Sequence, residues 1–385
     1  MEQFLRQLQT IPEAAELIRR VEEGGCPAAV SGLQPVQRAC VGAAVAAACG
    51  RPAVFLCGDE REVQVLSADL ETLTGRRPVT LLGREWQFRP GAVGSRDWER
   101  SRLAALYALA QGDAPVVVAT ADGLMARTLP PETLRSLAIT LEVGGQAELG
   151  ALAEQLLSAG YTRCEQVEGV GQFALRGGIL DVFSPLMDQP VRCEFFDDEI
   201  DSMGAFDPGT QRRTRNVSSA RILPAAEVLP HCAPGGLPGL ADQLTALAEK
   251  LAKKQKTEAI VQTLREDAER LRSGAAPGAA DRYLAAIYPT VTAGVHYLPP
   301  DAVVFLSESG RVDERVKNTV LQQKQDVEAL LSAGVLAGEY AHLTLTAEEL
   351  YAALEDFPVI LEDSLPTSRH PLRPRGLLTM NAKQL

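Results

Sequence analysis

Arg176, Arg192 and Phe196 are the residues whose types and spacing offer the most specific chemistry, and that chemistry is adhesion. They lie in two segments, Gln172-Phe173-Ala174-Leu175-Arg176-Gly177-Gly178-Ile179-Leu180-Asp181-Val182-Phe183 and Val191-Arg192-Cys193-Glu194-Phe195-Phe196. Gly177-Gly178 permits a close turn or bulge after Arg176, which fixes where that guanidinium points. Arg192, Glu194 and Phe196 share one strand face by two-residue alternation. With the Arg176 strand beside them, two arginines and a phenylalanine form one patch. Such residues dominate interfaces because they combine buried area with directional hydrogen bonds. Spacing leaves a second arrangement open, in which Arg192 pairs with Glu194 or Asp181 and Phe196 belongs to the core. The basic run Arg212-Arg213-Thr214-Arg215 follows. It could touch DNA or an acidic partner, or form a solvated turn balanced by Asp197-Asp198-Glu199.

Bond-making chemistry is harder to find. A phosphate loop needs glycines whose backbone N–H groups wrap phosphate, a lysine for its charge, and a hydroxyl for magnesium. The place to look is Ala28-Ala29-Val30-Ser31-Gly32, a strand and turn entering a helix at Arg38. The chain continues Leu33-Gln34-Pro35-Val36-Gln37, with no lysine, no following Ser or Thr, and a proline that has no N–H to offer. The partner half would be an apolar strand ending in magnesium-holding acids. Val303-Val304-Phe305-Leu306 is such a strand, but Ser307-Glu308-Ser309 follows it without an aspartate at the first position. Both halves are degenerate, so no cofactor is expected. His231, His296, His342 and His370 are scattered without ligand spacing, so no metal is expected either.

The elements that position these residues fall into three regions. In residues 1–138 helical and strand signals alternate. Helices are expected over Glu13–Val21, Arg38–Ala48, Val63–Thr74 (Val65, Leu66, Leu70 and Leu73 on one side) and Arg100–Ala110. Ala53–Cys57, Val79–Leu82 and Val116–Thr120 are short apolar runs typical of buried parallel strands. Residues 139–224 read as a compact α+β insert. Its helix, Glu148–Ala159, turns Leu149, Leu152, Leu156 and Leu157 inward, and an antiparallel sheet follows. Residues 225–385 open with a Pro/Gly-rich linker at Pro234–Gly239. One long amphipathic helix is expected from Leu240 through Leu271, ended by Gly274. The runs at Val303–Leu306 and Pro358–Leu361 then return the chain to α/β. The architecture predicted is one parallel sheet built from the first and third regions, with the second inserted between them. Trp86 and Trp98 pack in a satellite core or pin a loop. Asn381–Leu385 shows no terminating structure, so the chain reads as part of something longer.

Composition narrows the function classes. Of 385 residues, 46% are apolar and 23% charged, as in soluble globular proteins of two or three domains. The net charge of −12 repels phosphate overall, so protein partners come before nucleic acid. Seven cysteines without a C-x-x-C pair suggest buried reduced thiols in a cytoplasmic protein. No apolar run reaches the ~20 residues a membrane span needs.

The stretch from Gly160 to Glu227 resembles the module shared by UvrB and the transcription-repair coupling factors (Mfd). The resemblance rests on Gly160-Tyr161-x-Arg163, Gly171-x-Phe173-x-x-Arg176-Gly177-Gly178-Ile179-x-Asp181-x-Phe183, Pro190-x-Arg192-x-x-Phe195-Phe196-Asp197-Asp198-Glu199-Ile200-Asp201-Ser202 and Pro224-Ala225-x-Glu227. Weaker similarity covers Arg102–Leu106 and Asp122–Met125. The coupling-factor branch fits better, because the phosphate loop is gone and no Tyr-rich insertion like UvrB's damage-probing hairpin is present. The resemblance implies a degenerate RecA-like α/β core that binds UvrA through Arg176, Arg192 and Phe196. It also implies a surface masked by the C-terminal part of the parent chain, and contacts to RNA polymerase and DNA made only by parts further along it. The alternative within the same resemblance is a UvrB-like ATP-dependent damaged-DNA-binding protein.

Overall fold

A computed structural model describes residues 2–90, 97–254, 258–366 and 370–380. The terminal stretch 381–385, read above as lacking terminating structure, lies outside the described residues. In chain order the first elements are α1 (Glu2–Leu8), α2 (Pro12–Glu23), β1 (Ala28–Ser31), α3 (Pro35–Cys49), β2 (Ala53–Cys57), α4 (Glu60–Thr74), β3 (Val79–Leu81), α5 (Asp97–Gln111), β4 (Val116–Thr120), α6 (Ala121–Met125) and α7 (Pro131–Leu137). Then come β5 (Ile139–Glu142), α8 (Leu149–Ser158), β6 (Thr162–Arg163), β7 (Gln172–Arg176), β8 (Ile179–Val182), β9 (Val191–Phe196), β10 (Glu199–Phe206), β11 (Arg213–Asn216) and β12 (Ser219–Ile222). The last elements are α9 (Gly236–Ala252), α10 (Glu258–Arg272), α11 (Leu284–Ile287), β13 (Val303–Ser307), α12 (Ser309–Ser332), α13 (Ala347–Leu354), β14 (Val359–Asp363) and β15 (Leu377–Thr379).

Among the described residues, seven strands form one sheet in the order β15-β1-β14-β13-β2-β4-β3. Every pairing in it is parallel. The five inner strands are buried along their length, which is why β2, β4 and β13 read as unbroken apolar runs rather than alternating ones. One core lies on the α2–α3–α4 face, with Phe55 of β2 stacked on Phe305 of β13 at 4.9 Å between ring centroids. The larger core lies on the other face, under α5, α6, α9, α10 and α12.

The insert is a second sheet, β11-β10-β9-β8-β7-β6, antiparallel except where β6 joins β7 in parallel. A separate two-stranded pair, β5 and β12, closes the insert at its entry and exit. Its core holds Phe173, Leu180, Cys193 and Met203 from one face of the sheet against Leu152 and Leu156 of α8.

Four sequence expectations are corrected. The single helix over Leu240–Leu271 is two helices, α9 and α10, folded against each other. Leu240, Leu244, Leu247 and Leu251 share one side. Ile260 comes nine residues after Leu251, about two and a half turns at roughly 100° per residue, so a continuous helix would present it on the opposite side. Folding back buries both stripes together. The Pro234–Gly239 stretch is not a linker: α9 starts at Gly236, with Gly235 as N-cap at φ 77°. In α4 the inward residue is Val63, and Val65 is 51% exposed. In α8, Leu157 faces outward.

Gly42 shows how tightly α3 lies on the sheet. A Cβ there would sit 2.5 Å from the Phe55 ring. Gly-to-Ala in a helix interior ordinarily stabilises by about 1 kcal/mol. Gly42→Ala is expected to invert that sign and cost about 1–3 kcal/mol through overpacking. A urea midpoint equal to or above that of the unsubstituted chain would contradict it.

Candidate functional site

The turn after β1, where the sequence reading looked for a phosphate loop, is packed against another part of the chain. Gly32, after β1, has φ +89°, and a Cβ there would meet the Met380 carbonyl oxygen at 2.3 Å. The glycine thus serves the close approach of the chain beyond β15 rather than of a phosphate. Gln34 and Gln37 close a capping box on the N-terminus of α3, satisfying donors that would otherwise face a ligand. Arg38, buried, donates from Nη1 to Glu308 Oε1 at 2.5 Å and from Nη2 to Glu62 Oε1 at 3.4 Å. Ser364 is hydrogen-bonded to Glu308 and lies 3.1 Å from the Leu33 carbonyl. Ser307 donates to Glu62 at 2.6 Å, and Asp363 accepts from Ser309 N at 2.7 Å. One guanidinium among Glu62, Glu308 and Asp363 leaves this crevice acidic, the wrong sign for a triphosphate.

A second cluster joins the insert to the core. Glu227, at the insert's exit, is fully buried. Arg102 of α5 places Nε 3.0 Å from Glu227 Oε1, and Thr128 donates to Oε2 at 2.6 Å. Arg84 lies 3.7 Å from the same carboxylate and donates to Asp281 at 2.6 Å. Burial alone would raise the Glu227 pKa; Arg102 and Arg84 outweigh it and hold the group below the usual glutamate value. The arginine also stacks on Trp86, 4.3 Å from the ring centroid, so Trp86 pins this loop as well as packing on the core. Trp98 is half-buried in α5.

The third cluster is on the outer face of the insert sheet. Gly177 and Gly178 form the two-residue turn between β7 and β8, with Gly177 at φ 59°. Arg176 does not lie next to β9 as the patch reading supposed: β8 runs between them. The register nevertheless brings the two arginines to one carboxylate. Ala174, Asp181, Arg192 and Gly204 lie in one cross-strand row, and Arg176, Ile179, Glu194 and Ser202 lie two residues along, in the next row on the same face. Arg176 Nη2 donates to Asp181 Oδ2 at 2.8 Å. Arg192 grips the same group at two points, Nε to Oδ1 at 2.7 Å and Nη2 to Oδ2 at 2.8 Å. Hydrogen bonding to Asp181 pushes the Arg192 pKa further up. Arg192 rests 4.7 Å from the Phe206 ring centroid, and Gln211 Oε1 lies 3.3 Å from its Nη2. The Arg192–Asp181 pairing left open by the sequence is therefore present, while Glu194 instead accepts from Ser202 at 2.9 Å. Phe196 is not core: it is 75% exposed at the end of β9. Side-chain exposure is 50% for Arg176 and 23% for Arg192.

The basic run is not a turn. Arg213 and Arg215 lie on β11, the exposed edge strand, and Arg212 precedes them. Arg213 lies over Gly204, on the face that carries Arg192, and reaches Ser202 at 3.4 Å. Among the described residues no carboxylate is ion-paired to Arg212, Arg213 or Arg215, so the expected balance by Asp197-Asp198-Glu199 is not formed. No group of His, Cys, Asp and Glu suited to holding a metal occurs among the described residues, and no described helix is long and apolar enough to cross a membrane.

What the sequence reasoning missed was the convergence on Asp181, the Gln211 and Phe206 supports, and the Arg38 and Glu227 clusters. Asp181 carried a signal: an acid between Leu180 and Val182 in a short buried strand needs a paired cation.

Fold and site together define a parallel α/β core without a phosphate loop, carrying an inserted domain of the UvrB type. A family model described as the UvrB interaction domain matches residues 139–227. The transcription-repair-coupling factor of Bacillus subtilis is 26% identical over 373 residues, covering 96% of this chain and 31% of that protein. Those of Myxococcus xanthus and Escherichia coli are 35% and 34% identical over 63% and 46% of this chain, covering 20% and 15% of theirs. The chain thus spans less than a third of the length of these relatives. Along nearly its whole length the chain is thus similar to a transcription-repair-coupling factor, and its insert matches the UvrB interaction domain.

Glu362, at the end of β14, tests the vestigial crevice. It is fully buried, and neither carboxylate oxygen has a hydrogen-bond partner. Burial holds its pKa well above the ordinary 4.5, with Asp363 adding to the rise and Arg38 opposing it. A raised folded pKa contributes stability below about pH 4.5 that is lost as pH rises toward the folded value. Its contribution is expected to change by at most about 1.4 kcal/mol per pH unit in that window. Glu362→Gln should flatten this dependence and raise stability at pH 8 relative to the unsubstituted chain. Parallel stability–pH curves from denaturant titrations would show that Glu362 is ionised in the fold.

Proposed function

We propose that this chain is a docking module that recruits UvrA, linking stalled RNA polymerase to nucleotide excision repair, and that it makes and breaks no bonds itself. The observation that carries the proposal is the outer face of the insert. A benzyl ring exposed at the end of β9 shares that strand with Arg192, one of two arginines held on one buried carboxylate. This is the kind of anchor that dominates protein interfaces, and it has no counterpart in a stable interior. The non-catalytic part is supported by the acidic, arginine-filled crevice at the carboxyl end of the parallel sheet, where nucleotides bind in open α/β folds.

The intact parent is proposed to be an ATP-dependent DNA translocase acting in the cytoplasm. Its contacts with RNA polymerase and DNA lie in parts outside this chain, and its C-terminal part covers the docking face by an intramolecular contact. Arg212, Arg213 and Arg215 provide a secondary basic margin to that face.

Titration calorimetry of the 385-residue chain with UvrA is expected to give saturable binding. Arg176→Ala, Arg192→Ala and Phe196→Ala should each weaken it by about 2 kcal/mol or more. The triple substitution should abolish it. Undiminished binding by the triple variant would reject the assignment of this face. ATP titrated into the same chain should give no saturable heat and no phosphate release. Hydrolysis would instead support the UvrB-like ATPase.

A further inference from the structure

Asp181 occupies the middle of the docking face yet is hidden from any partner: its side chain is 1% exposed. A buried carboxylate is costly unless it is paired and hydrogen-bonded. Here three N–H donors from two guanidinium groups converge on its two oxygens. The two arginines are held unequally. Arg192 is gripped at two points by Asp181, backed by Phe206 and flanked by Gln211. Arg176 is tethered through Nη2 alone and is half exposed. It therefore keeps donors free on a guanidinium whose orientation is already set. An arginine on the surface normally loses rotamer freedom when it binds, and pre-orientation removes that loss.

We propose that Asp181 is the positioning residue of this face. It touches no partner, but it holds Arg176 and Arg192 in the one arrangement that meets an acidic surface on UvrA. The proposal rests on the reading of the face as the UvrA site.

Charge and positioning predict opposite signs, which makes the proposal testable. If Asp181 merely neutralised part of a basic face, Asp181→Asn would add net positive charge and speed association with an acidic partner. If it positions, Asp181→Asn should weaken binding even though the face becomes more positive.

The experiment is surface plasmon resonance with immobilised UvrA and the 385-residue chain at two salt concentrations. Asp181→Asn is expected to raise Kd at least tenfold, mostly through faster dissociation. Combining it with the Arg176→Ala, Arg192→Ala double substitution should weaken binding little beyond that double variant, because Asp181 acts through those two guanidinium groups. Combining it with Phe196→Ala should multiply the two losses. Asp181→Glu keeps the charge but moves the carboxylate by one methylene, and it covers the case in which the asparagine variant does not fold. With a melting temperature near that of the unsubstituted chain, it should still lose at least fivefold in affinity. Equal or tighter binding by a folded Asp181→Asn overturns the proposal. So does full additivity with the Arg176→Ala, Arg192→Ala double variant, or unchanged affinity in Asp181→Glu. If Arg176→Ala and Phe196→Ala also bind UvrA as the unsubstituted chain does, the UvrA reading of the face fails, whatever Asp181 does.

Discussion

The Glu227 carboxylate, carried to the centre of the molecule at the point where the insert rejoins the core, ties the three stretches of the chain into one body. A charge so deeply buried is stable only with matching partners. Arg102 and Thr128 come from the first stretch, and Arg84 passes the link on to Asp281 in the third. Tyr288 adds a neutral bond, donating to the Glu227 backbone carbonyl at 3.1 Å. Around this cluster, Arg100 of α5 reaches the carbonyls of Pro185 and Met187, and Arg221 of β12 reaches Tyr107. The insert is therefore set on the core by directional bonds. The outer face of its sheet inherits a fixed direction from them.

The same device recurs three times with different outcomes. At the carboxyl end of the large sheet, Arg38 is enclosed by Glu62, Glu308 and Ser364, and the guanidinium is spent inside the fold. At the insert's exit, Arg84 and Arg102 are likewise enclosed. On the insert's outer face the acid is enclosed but one of its arginines is not: Asp181 is buried while Arg176 is half exposed. Enclosed pairs fix geometry, whereas an exposed arginine with free donors can still meet something else. What separates the enclosed arginines from Arg176 is how many donors the fold has already used, not residue type.

Much of the core was legible in the sequence because burial on both faces leaves a plain signature. The strands Ala53–Cys57 and Val116–Thr120 appear where their apolar runs stand, and the helices of the first stretch fall close to their expected ranges. The errors were of orientation and folding-back. Val65 and Leu157 are apolar residues one position off the inward stripe. The half-turn shift of the leucine stripe between Leu251 and Ile260 marked the α9–α10 reversal, but helical periodicity alone assigned both halves to one helix. For the site, alternation along β9 placed Arg192, Glu194 and Phe196 on one face. It could not say that β8 intervenes, since strand order depends on contacts between distant segments.

By itself the sequence determined the class of fold, the absence of a lysine and a following hydroxyl at Leu33–Gln37, and which side chains were candidates for adhesion. Those properties depend on residue type and local periodicity, and both are written directly in the chain. Only the tertiary structure decided that Arg38 is enclosed by Glu62, Glu308 and Ser364, that Asp181 receives both arginines, and that Phe196 stands in solvent instead of in the core. Each of these turns on which strands lie side by side and which charges share a buried space. The free energy of a buried charge depends on partners brought in from elsewhere in the chain, so no local pattern could have fixed it.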